Sequence, residues 1–195
     1  MSDHIEFYFD IISPYAYIAH KKIQKIKEIN NIKFIYKPIL LGGLHNLAKI
    51  TAPAFNEYKM KNMRNDCELI SKKNHINFFW NLRFPINSLN MMRGYLFVDK
   101  EKKKNYLDIF FKAYWNDNTD LSKEGEFLKL LKNLEIDQEK FISGIKNKSI
   151  KDELKELTND AFKKEIFGAP TFIVNDKIFW GQDRLEYALE ELNSN

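Results

Sequence analysis

The alternation of apolar and polar positions at the amino end predicts a strand, a helix and a second strand. Residues 5–10 are mostly aromatic and aliphatic, as is typical of a buried strand. From residue 14 to about residue 30, isoleucine and alanine recur at roughly helical spacing with lysines between them. Residues 32–38 alternate apolar side chains with lysine and close at a proline. A strand–helix–strand unit this short predicts two parallel strands.

The middle of the chain, residues 40–167, changes to a helical pattern. Leu40-Leu41-Gly42-Gly43 is expected to break the second strand, and residues 78–86, which contain Pro85, to form an extended connector. Helices are predicted over residues 57–74, 88–103, 106–116, 125–133, 138–147 and 150–167.

The carboxyl end returns to strand patterning. Residues 171–174 and 177–180 are two short β-rich runs joined by Asn175 and Asp176, which predicts a hairpin. Residues 183–192 then form an amphipathic helix. The order βαβ, helical insert, ββα is the thioredoxin-like pattern. It predicts an α/β fold with a thioredoxin-like domain of residues 1–39 and 168–195, and a large all-α insertion domain of residues 40–167.

Composition narrows the classes of partner. The 195 residues are 44% hydrophobic and 14% aromatic, which indicates a packed globular protein. The formal net charge is +4, but basic and acidic residues alternate along the chain, so we expect a mixed-charge surface and no nucleic-acid partner. No apolar run approaches 18 residues and no leader pattern opens the chain, which predicts a cytoplasmic protein that does not bind membranes.

Cysteine and histidine usage exclude two common kinds of site. Cys67 is the sole cysteine, so the chain can form neither an intramolecular disulfide nor a C-x-x-C redox pair, and we expect Cys67 to be a buried apolar side chain. The four histidines have no metal-ligand spacing with each other or with Cys67, so no metal site is predicted: His4, His20, His45 and His75.

Ser13 is the candidate for chemistry. The first strand ends at Asp10, and a short turn delivers Ser13 and Pro14 to the first turn of the helix. The amino end of a helix collects unpaired N–H groups and the positive end of the helix dipole, so it favours an anion or a thiolate. The simpler interpretation is that Ser13 only caps the helix.

Three segments together resemble one protein family. Residues 8–17 (YFDIISPYAY), 167–172 (FGAPTF) and 179–185 (FWGQDRL) are similar to those of the 2-hydroxychromene-2-carboxylate isomerases and kappa-class glutathione transferases. Other segments also look like family segments in family order: residues 40–43, Lys59 through Met63 to Asp66, residues 84–89 with Arg93, and residues 113–115. These proteins belong to the DsbA-like branch of the thioredoxin superfamily, so the resemblance implies that fold.

The resemblance also implies a role for Ser13. In the oxidoreductase relatives, the positions of Ser13 and Ala16 hold the two cysteines of the redox motif, and losing both removes disulfide exchange. Members of the family bind glutathione at this helix amino end. The resemblance therefore implies that Ser13 is catalytic and donates its hydroxyl to the glutathione sulfur, stabilising the thiolate.

Further site residues follow from the resemblance alone. Pro170 matches the family's cis-proline, which leaves the backbone of Ala169 to pair with the cysteinyl part of glutathione. The ends of the tripeptide are expected at Lys59, Gln182, Asp183 and Arg184. A small conjugated or aromatic electrophile is expected against Tyr15, Phe84, Asn87 and Trp115. Without the resemblance, a trans proline, a helix cap at Asp183, a surface charge at Arg184 and core aromatics would be expected.

One departure keeps other functions open. Ile50 stands where family members often carry a glutathione-contacting asparagine. The leading hypothesis is a glutathione-dependent isomerase. Its alternatives are a kappa-like transferase, a thiol-dependent reductase or dehalogenase, and a non-catalytic binding or chaperone-like module. By resemblance, a homodimer is expected.

Overall fold

A computed structural model of the protein describes residues 3–29 and 32–194. Its sheet has four strands in the order β2-β1-β3-β4. The strands are β1 (His4–Phe9), β2 (Lys33–Pro38), β3 (Thr171–Val174) and β4 (Lys177–Trp180). β1 pairs in parallel with β2 and antiparallel with β3, and β3 pairs antiparallel with β4. The predicted strand–helix–strand unit and hairpin are therefore both confirmed.

Helices account for most of the remaining described chain. Two helices accompany the strands: α1 (Pro14–Ile29) follows β1, and α9 (Leu185–Asn193) follows β4. Between β2 and β3 lie α2 (Leu41–Ala48), α3 (Glu57–Lys73), α4 (Leu89–Phe97), α5 (Lys103–Trp115), α6 (Glu124–Asn133), α7 (Gln138–Gly144) and α8 (Lys148–Lys163). Single 3-10 turns occur at Pro53–Phe55, Lys100–Lys102 and Gln182–Arg184. The fold is a DsbA-like thioredoxin fold, as predicted.

The segment expected to be only a strand break is a helix, α2. Gly42 and Gly43 lower the helix propensity of this segment, which is why the pattern suggested a break. Packing against α8 overrides that preference: the Leu40 N–H donates to Thr158 Oγ at 3.0 Å, and a side chain added at Gly43 would contact Leu40 and Thr158. Tertiary contacts therefore decide the structure of this segment.

Several predicted helix ends were wrong. The helix expected over residues 88–103 ends at Phe97, because Val98 is extended and its side chain is buried. A 3-10 turn then leads into α5, which begins at Lys103. The helix expected to reach residue 167 ends at Lys163, and Glu165 has a left-handed backbone. The last helix begins two residues later than expected, after the turn at Gln182–Arg184.

A large buried cluster joins the sheet to the helical segment, and a smaller one, which includes Tyr8 of β1 and Ala161 of α8, does the same separately. Phe7 and Phe9 of β1 are fully buried, and Phe9 lies edge-to-face against Tyr95 of α4. The same buried cluster extends through Phe111 of α5 to Phe141 of α7. The division of the chain into two domains stays a prediction.

Polar contacts attach α1 to the helical segment. The Tyr17 hydroxyl donates to the carbonyl of Asn77 at 2.6 Å, and His20 Nε2 lies 2.6 Å from Asp108 Oδ1 of α5. These two contacts join α1 to the segment before α4 and to α5. Within the described ranges, no helix is long and apolar enough to cross a membrane.

Candidate active site

Ser13 lies at the amino end of α1 and faces the segment before β3. Its hydroxyl donates to the carbonyl oxygen of Ala169 at 2.8 Å and accepts the N–H of Ala16 at 3.2 Å. The side chain is only 3% exposed. Ser13 therefore caps the helix, and it also places a hydroxyl donor between the helix end and the chain leading into β3.

The peptide bond between Ala169 and Pro170 is cis, as the resemblance implied. The Pro170 carbonyl accepts the N–H of Gly181 at 2.9 Å, while the Ala169 N–H has no hydrogen bond to another described residue. Gly181 has a φ of 111°, which residues with a side chain rarely adopt. The backbone beside Ser13 thus offers a free donor at Ala169 and a carbonyl that Ser13 occupies.

Asp10 holds the loop that carries Ser13, a role that the sequence reasoning missed. This carboxylate is fully buried at the end of β1. It accepts the N–H of Ile12 at 3.1 Å, the N–H of Leu41 at 2.8 Å and the hydroxyl of Ser88 at 2.9 Å. We call these contacts the Asp10 clamp. The clamp fastens the Ser13 loop to the starts of α2 and α4.

Burial dominates the electrostatics of Asp10. Loss of water raises the pKa of its carboxyl from 3.8 to about 6, although its hydrogen bonds oppose the rise. A carboxylate directly after the apolar run Phe7-Tyr8-Phe9 was the sequence signal that could have revealed this residue. It needs partners from distant parts of the chain, and the sequence does not show those partners.

The described chain offers no accessible thiol of its own. Cys67 lies on α3 and is fully buried, as predicted. Burial raises the pKa of its thiol far above the ordinary value. Since the reactive form of cysteine is the thiolate, Cys67 is unsuited to act as a nucleophile.

The residues expected to bind the ends of glutathione differ in their exposure and in the partners that they already have. Gln182 is buried, and its Oε1 accepts from Lys22 Nζ at 2.7 Å. Asp183 and Arg184 are exposed and paired with each other at 3.0 Å. The exposed Lys59 lies in the first turn of α3. Gln182 adjoins the Pro170 backbone through Gly181, whereas no described contact links Lys59 to Ser13.

The residues expected to contact the electrophile also differ in their surroundings. Phe84 is half-buried against Trp80 and Trp115. The Tyr15 hydroxyl donates to Asp66 at 2.7 Å, and Asn87 accepts the N–H of Leu89.

Trp115 is placed differently from the expectation. It is fully buried, and its indole N–H donates to the Ile11 carbonyl at 2.8 Å. In this structure it supports the Ser13 loop from within the core and presents no surface to a ligand, because its large apolar ring is covered by neighbouring aromatic side chains.

No cluster of metal-ligating side chains occurs among residues 3–29 and 32–194. The site is therefore defined by a serine hydroxyl, a helix amino end and the backbone on either side of Pro170, without a resident thiol.

This fold and site are those of a DsbA-like protein whose redox cysteines are absent. Residues 4–193 match the family model of the DsbA-like thioredoxin domain, so the chain belongs to that family. Within it, the chain is 24% identical to 2-hydroxychromene-2-carboxylate isomerase from Sphingobium xenophagum, with 96% of each sequence covered. It is 22% identical to human glutathione S-transferase kappa 1, with 93% of this chain and 87% of that protein covered.

Solved structures agree on the fold. A 2-hydroxychromene-2-carboxylate isomerase superposes with a TM-score of 0.88 at 20% identity, covering 97% of this chain and 94% of that one. The cytosolic disulfide reductase DsbM from Pseudomonas aeruginosa, solved with GSH, superposes with a TM-score of 0.66 at 13% identity, covering 98% and 96%. The similarity to isomerase and transferase relatives extends over nearly the whole chain.

Proposed function

We propose that this protein is a glutathione-dependent isomerase that acts on a small conjugated or aromatic electrophile. The observation that carries the proposal is the Ser13 hydroxyl, 2.8 Å from the Ala169 carbonyl, in a protein whose sole cysteine is buried elsewhere. The amino end of α1 favours a thiolate but has no cysteine of its own, so it is suited to the thiol of a small molecule. The isomerase and transferase relatives, and the GSH-bound reductase structure, support that choice.

The backbone beside Ser13 fits the cysteinyl part of the tripeptide. The free Ala169 N–H can donate to an extended peptide, and the Ala169 carbonyl can accept from one. A peptide N–H that donated to this carbonyl would replace the Ser13 hydroxyl there. Ser13 would then be free to donate to the sulfur while Ala16 still donates to Ser13. Glutathione, when bound, would supply the nucleophilic thiolate.

The protein's other residues would hold the tripeptide and exclude water. The turn at Gln182–Arg184, just before α9, can receive a carboxylate, and Asp183 an ammonium group, at the exposed end of the site. Lys59 would meet another glutathione carboxylate. Ile50, which is 39% exposed, offers only an apolar contact, so we expect modest affinity for glutathione. Tyr15, Phe84 and Asn87 remain the candidates for the electrophile.

The decisive variant is Ser13→Ala. Without the hydroxyl donor, we expect the pKa of the bound glutathione thiol to rise towards its value in water. Turnover of 2-hydroxychromene-2-carboxylate should fall by about 10²–10⁴-fold, the usual range for a group that aids proton transfer. Thiolate absorbance against pH and initial rates measure the two effects. The matched control is Ser149→Ala, an exposed serine on α8. Unchanged turnover in Ser13→Ala would show that Ser13 is not catalytic.

Thiol consumption separates an isomerase from a kappa-like transferase. An isomerase regenerates free glutathione after each turnover, whereas a kappa-like transferase consumes one thiol for each product. Counting free thiols against product with 2-hydroxychromene-2-carboxylate as the substrate gives the distinction, and conjugation of chlorodinitrobenzene above its uncatalysed rate tests directly for a transferase. Loss of one thiol per product would replace isomerase with transferase.

The non-enzyme alternative is a binding or chaperone-like module that kept the fold after losing the cysteines. The observation that favours it is Ile50, because an apolar side chain stands where a polar glutathione contact was expected. Calorimetric titration with glutathione tests it directly. Absence of binding at millimolar glutathione would support the module and reject the enzyme.

A further inference from the structure

A cleft lies between α2, α4 and α8. Its volume is about 500 Å³, within the range of small-molecule sites. Apolar side chains from all three helices line it, among them Leu47 of α2, Leu89 of α4 and Leu154 of α8. The cleft therefore offers an apolar wall large enough for the body of a small organic molecule.

The charged part of the lining is mainly cationic. Arg93, Lys151 and Lys155 all border the cleft, and Asp152 is the one acidic residue that lines it. Asp152 is already paired with Lys148, which does not line the cleft. The lining therefore carries an excess of positive charge beside its leucines.

Arg93 is the residue that points to an anion. Its Nε atom is enclosed and has no hydrogen-bond partner among the described residues. Leaving a buried charged donor unsatisfied is unfavourable, and a planar guanidinium matches a carboxylate in two parallel hydrogen bonds. An anion in the cleft would give the guanidinium of Arg93 the acceptors that the described part of the protein does not.

The cleft is separate from the Ser13 site. None of the residues assigned above to glutathione or to the electrophile lines it. The Asp10 clamp lies between the two sites, since Leu40 and Leu89 of the cleft adjoin the Leu41 N–H and the Ser88 hydroxyl that bind Asp10. The Leu89 N–H also donates to Asn87, one of the residues expected to contact the electrophile.

We propose that the α2–α4–α8 cleft binds an amphipathic organic carboxylate, with its apolar body against the leucines and its carboxylate at Arg93. The positive charges of Lys151 and Lys155 favour the same head group. This inference does not depend on the proposed function, because it uses none of the residues of the Ser13 site.

Calorimetric titration of the full chain with hexanoate, and with hexanol as its uncharged counterpart, tests the head group. We expect saturable one-to-one binding of hexanoate and at least about tenfold weaker binding of hexanol, because a charge-assisted hydrogen bond is lost. Arg93→Met should weaken hexanoate by a similar factor, whereas Lys104→Met removes an exposed charge outside the cleft and should change nothing. Equal binding of hexanol, or unchanged binding in a folded Arg93→Met, would overturn the proposal.

Adjacent glycines of α2 provide a second test that leaves Arg93 intact. A side chain at Gly43 would grow beside Leu40 and Thr158 of the cleft, whereas one at Gly42 would meet nothing within 4 Å. Gly43→Leu should therefore abolish hexanoate binding and Gly42→Leu should preserve it. Ser13→Ala should also preserve it. Binding that survives Gly43→Leu, or that is lost in Ser13→Ala, would place hexanoate elsewhere and reject the cleft.

Discussion

At the scale of single residues, Asp10 shows how a buried carboxylate can hold a loop in place. The clamp satisfies backbone donors at Ile12 and Leu41 and the hydroxyl of Ser88. The same burial makes its charge costly, because the hydrogen bonds offset only part of the lost hydration. The position of the Ser13 loop is therefore coupled to the ionisation of Asp10.

That coupling predicts a pH dependence of stability. The pKa of Asp10 in the folded protein is about 6, against 3.8 ordinarily, so between these values the folded state binds more protons than the unfolded chain. The contribution of Asp10 to the free energy of unfolding therefore falls as pH rises from about 4 to 6. Asp10→Asn removes the titration, so the stability of the variant relative to the parent should rise by about 2 kcal/mol from pH 4 to pH 7. Urea unfolding at both pH values measures it.

The matched control is Asp99→Asn, which neutralises an exposed carboxylate that makes no cap hydrogen bond. Between pH 4 and pH 7, the free energy of unfolding of Asp99→Asn should change by the same amount as that of the parent. A parallel pH dependence in Asp10→Asn and the parent would show that Asp10 does not titrate in this range.

At the scale of secondary-structure elements, close packing decides which glycines the helices require. Gly94 of α4 faces the Tyr106 hydroxyl and the Phe141 ring, and a Cβ at this position would collide with both. Gly125 of α6 has nothing within 4 Å of where its Cβ would be. Both are helical glycines, so propensity alone ranks them equally, and their surroundings separate them.

Opposite effects are therefore expected for the same substitution at the two positions. Gly94→Ala should destabilise the protein by about 1–3 kcal/mol, the usual effect of overpacking a core. Gly125→Ala should stabilise it by up to about 1 kcal/mol through helix propensity. Urea midpoints give both values. A stabilising Gly94→Ala would mean that α4 and α7 are packed more loosely than the structure indicates.

At the scale of the whole molecule, the helical segment and the sheet share a large hydrophobic core. β1 contributes Phe9, α5 contributes Phe111 and α7 contributes Phe141, all of them fully buried in the same cluster. Because this core crosses the predicted domain boundary, we expect the two parts to unfold together. The sequence-based division into two domains would then describe chain topology and not separate stability.

Phe141→Ala tests this cooperativity from one side of the boundary. Emptying a buried phenylalanine site should lower the free energy of unfolding by about 3–5 kcal/mol. Hydrogen exchange should show that protection falls by the same amount in β1, on the sheet side, as in α5. Phe55→Ala, at a side chain that is 74% exposed, should change neither. Protection lost in α5 but retained in β1 would establish two independent domains.

The sequence by itself determined the strands, the first helix and the chemistry that the chain lacks. Strand periodicity, the Asn175-Asp176 turn and the helix start at Pro14 are local signals, so the sheet and α1 could be predicted closely. The single cysteine already excluded disulfide exchange. The motifs around Ser13 and Pro170 carried the family resemblance, and the DsbA-like family match agrees with it.

Only the tertiary structure decided which side chains meet. It made a helix of the Gly42-Gly43 segment, because α8 packs against it, and it ended a helix at Phe97 because Val98 is buried. It joined Asp10 to Leu41 and Ser88, and it moved Trp115 from the expected contact with the electrophile into the core. These contacts join residues far apart in the chain, and their energies depend on burial and distance. Local sequence pattern encodes neither.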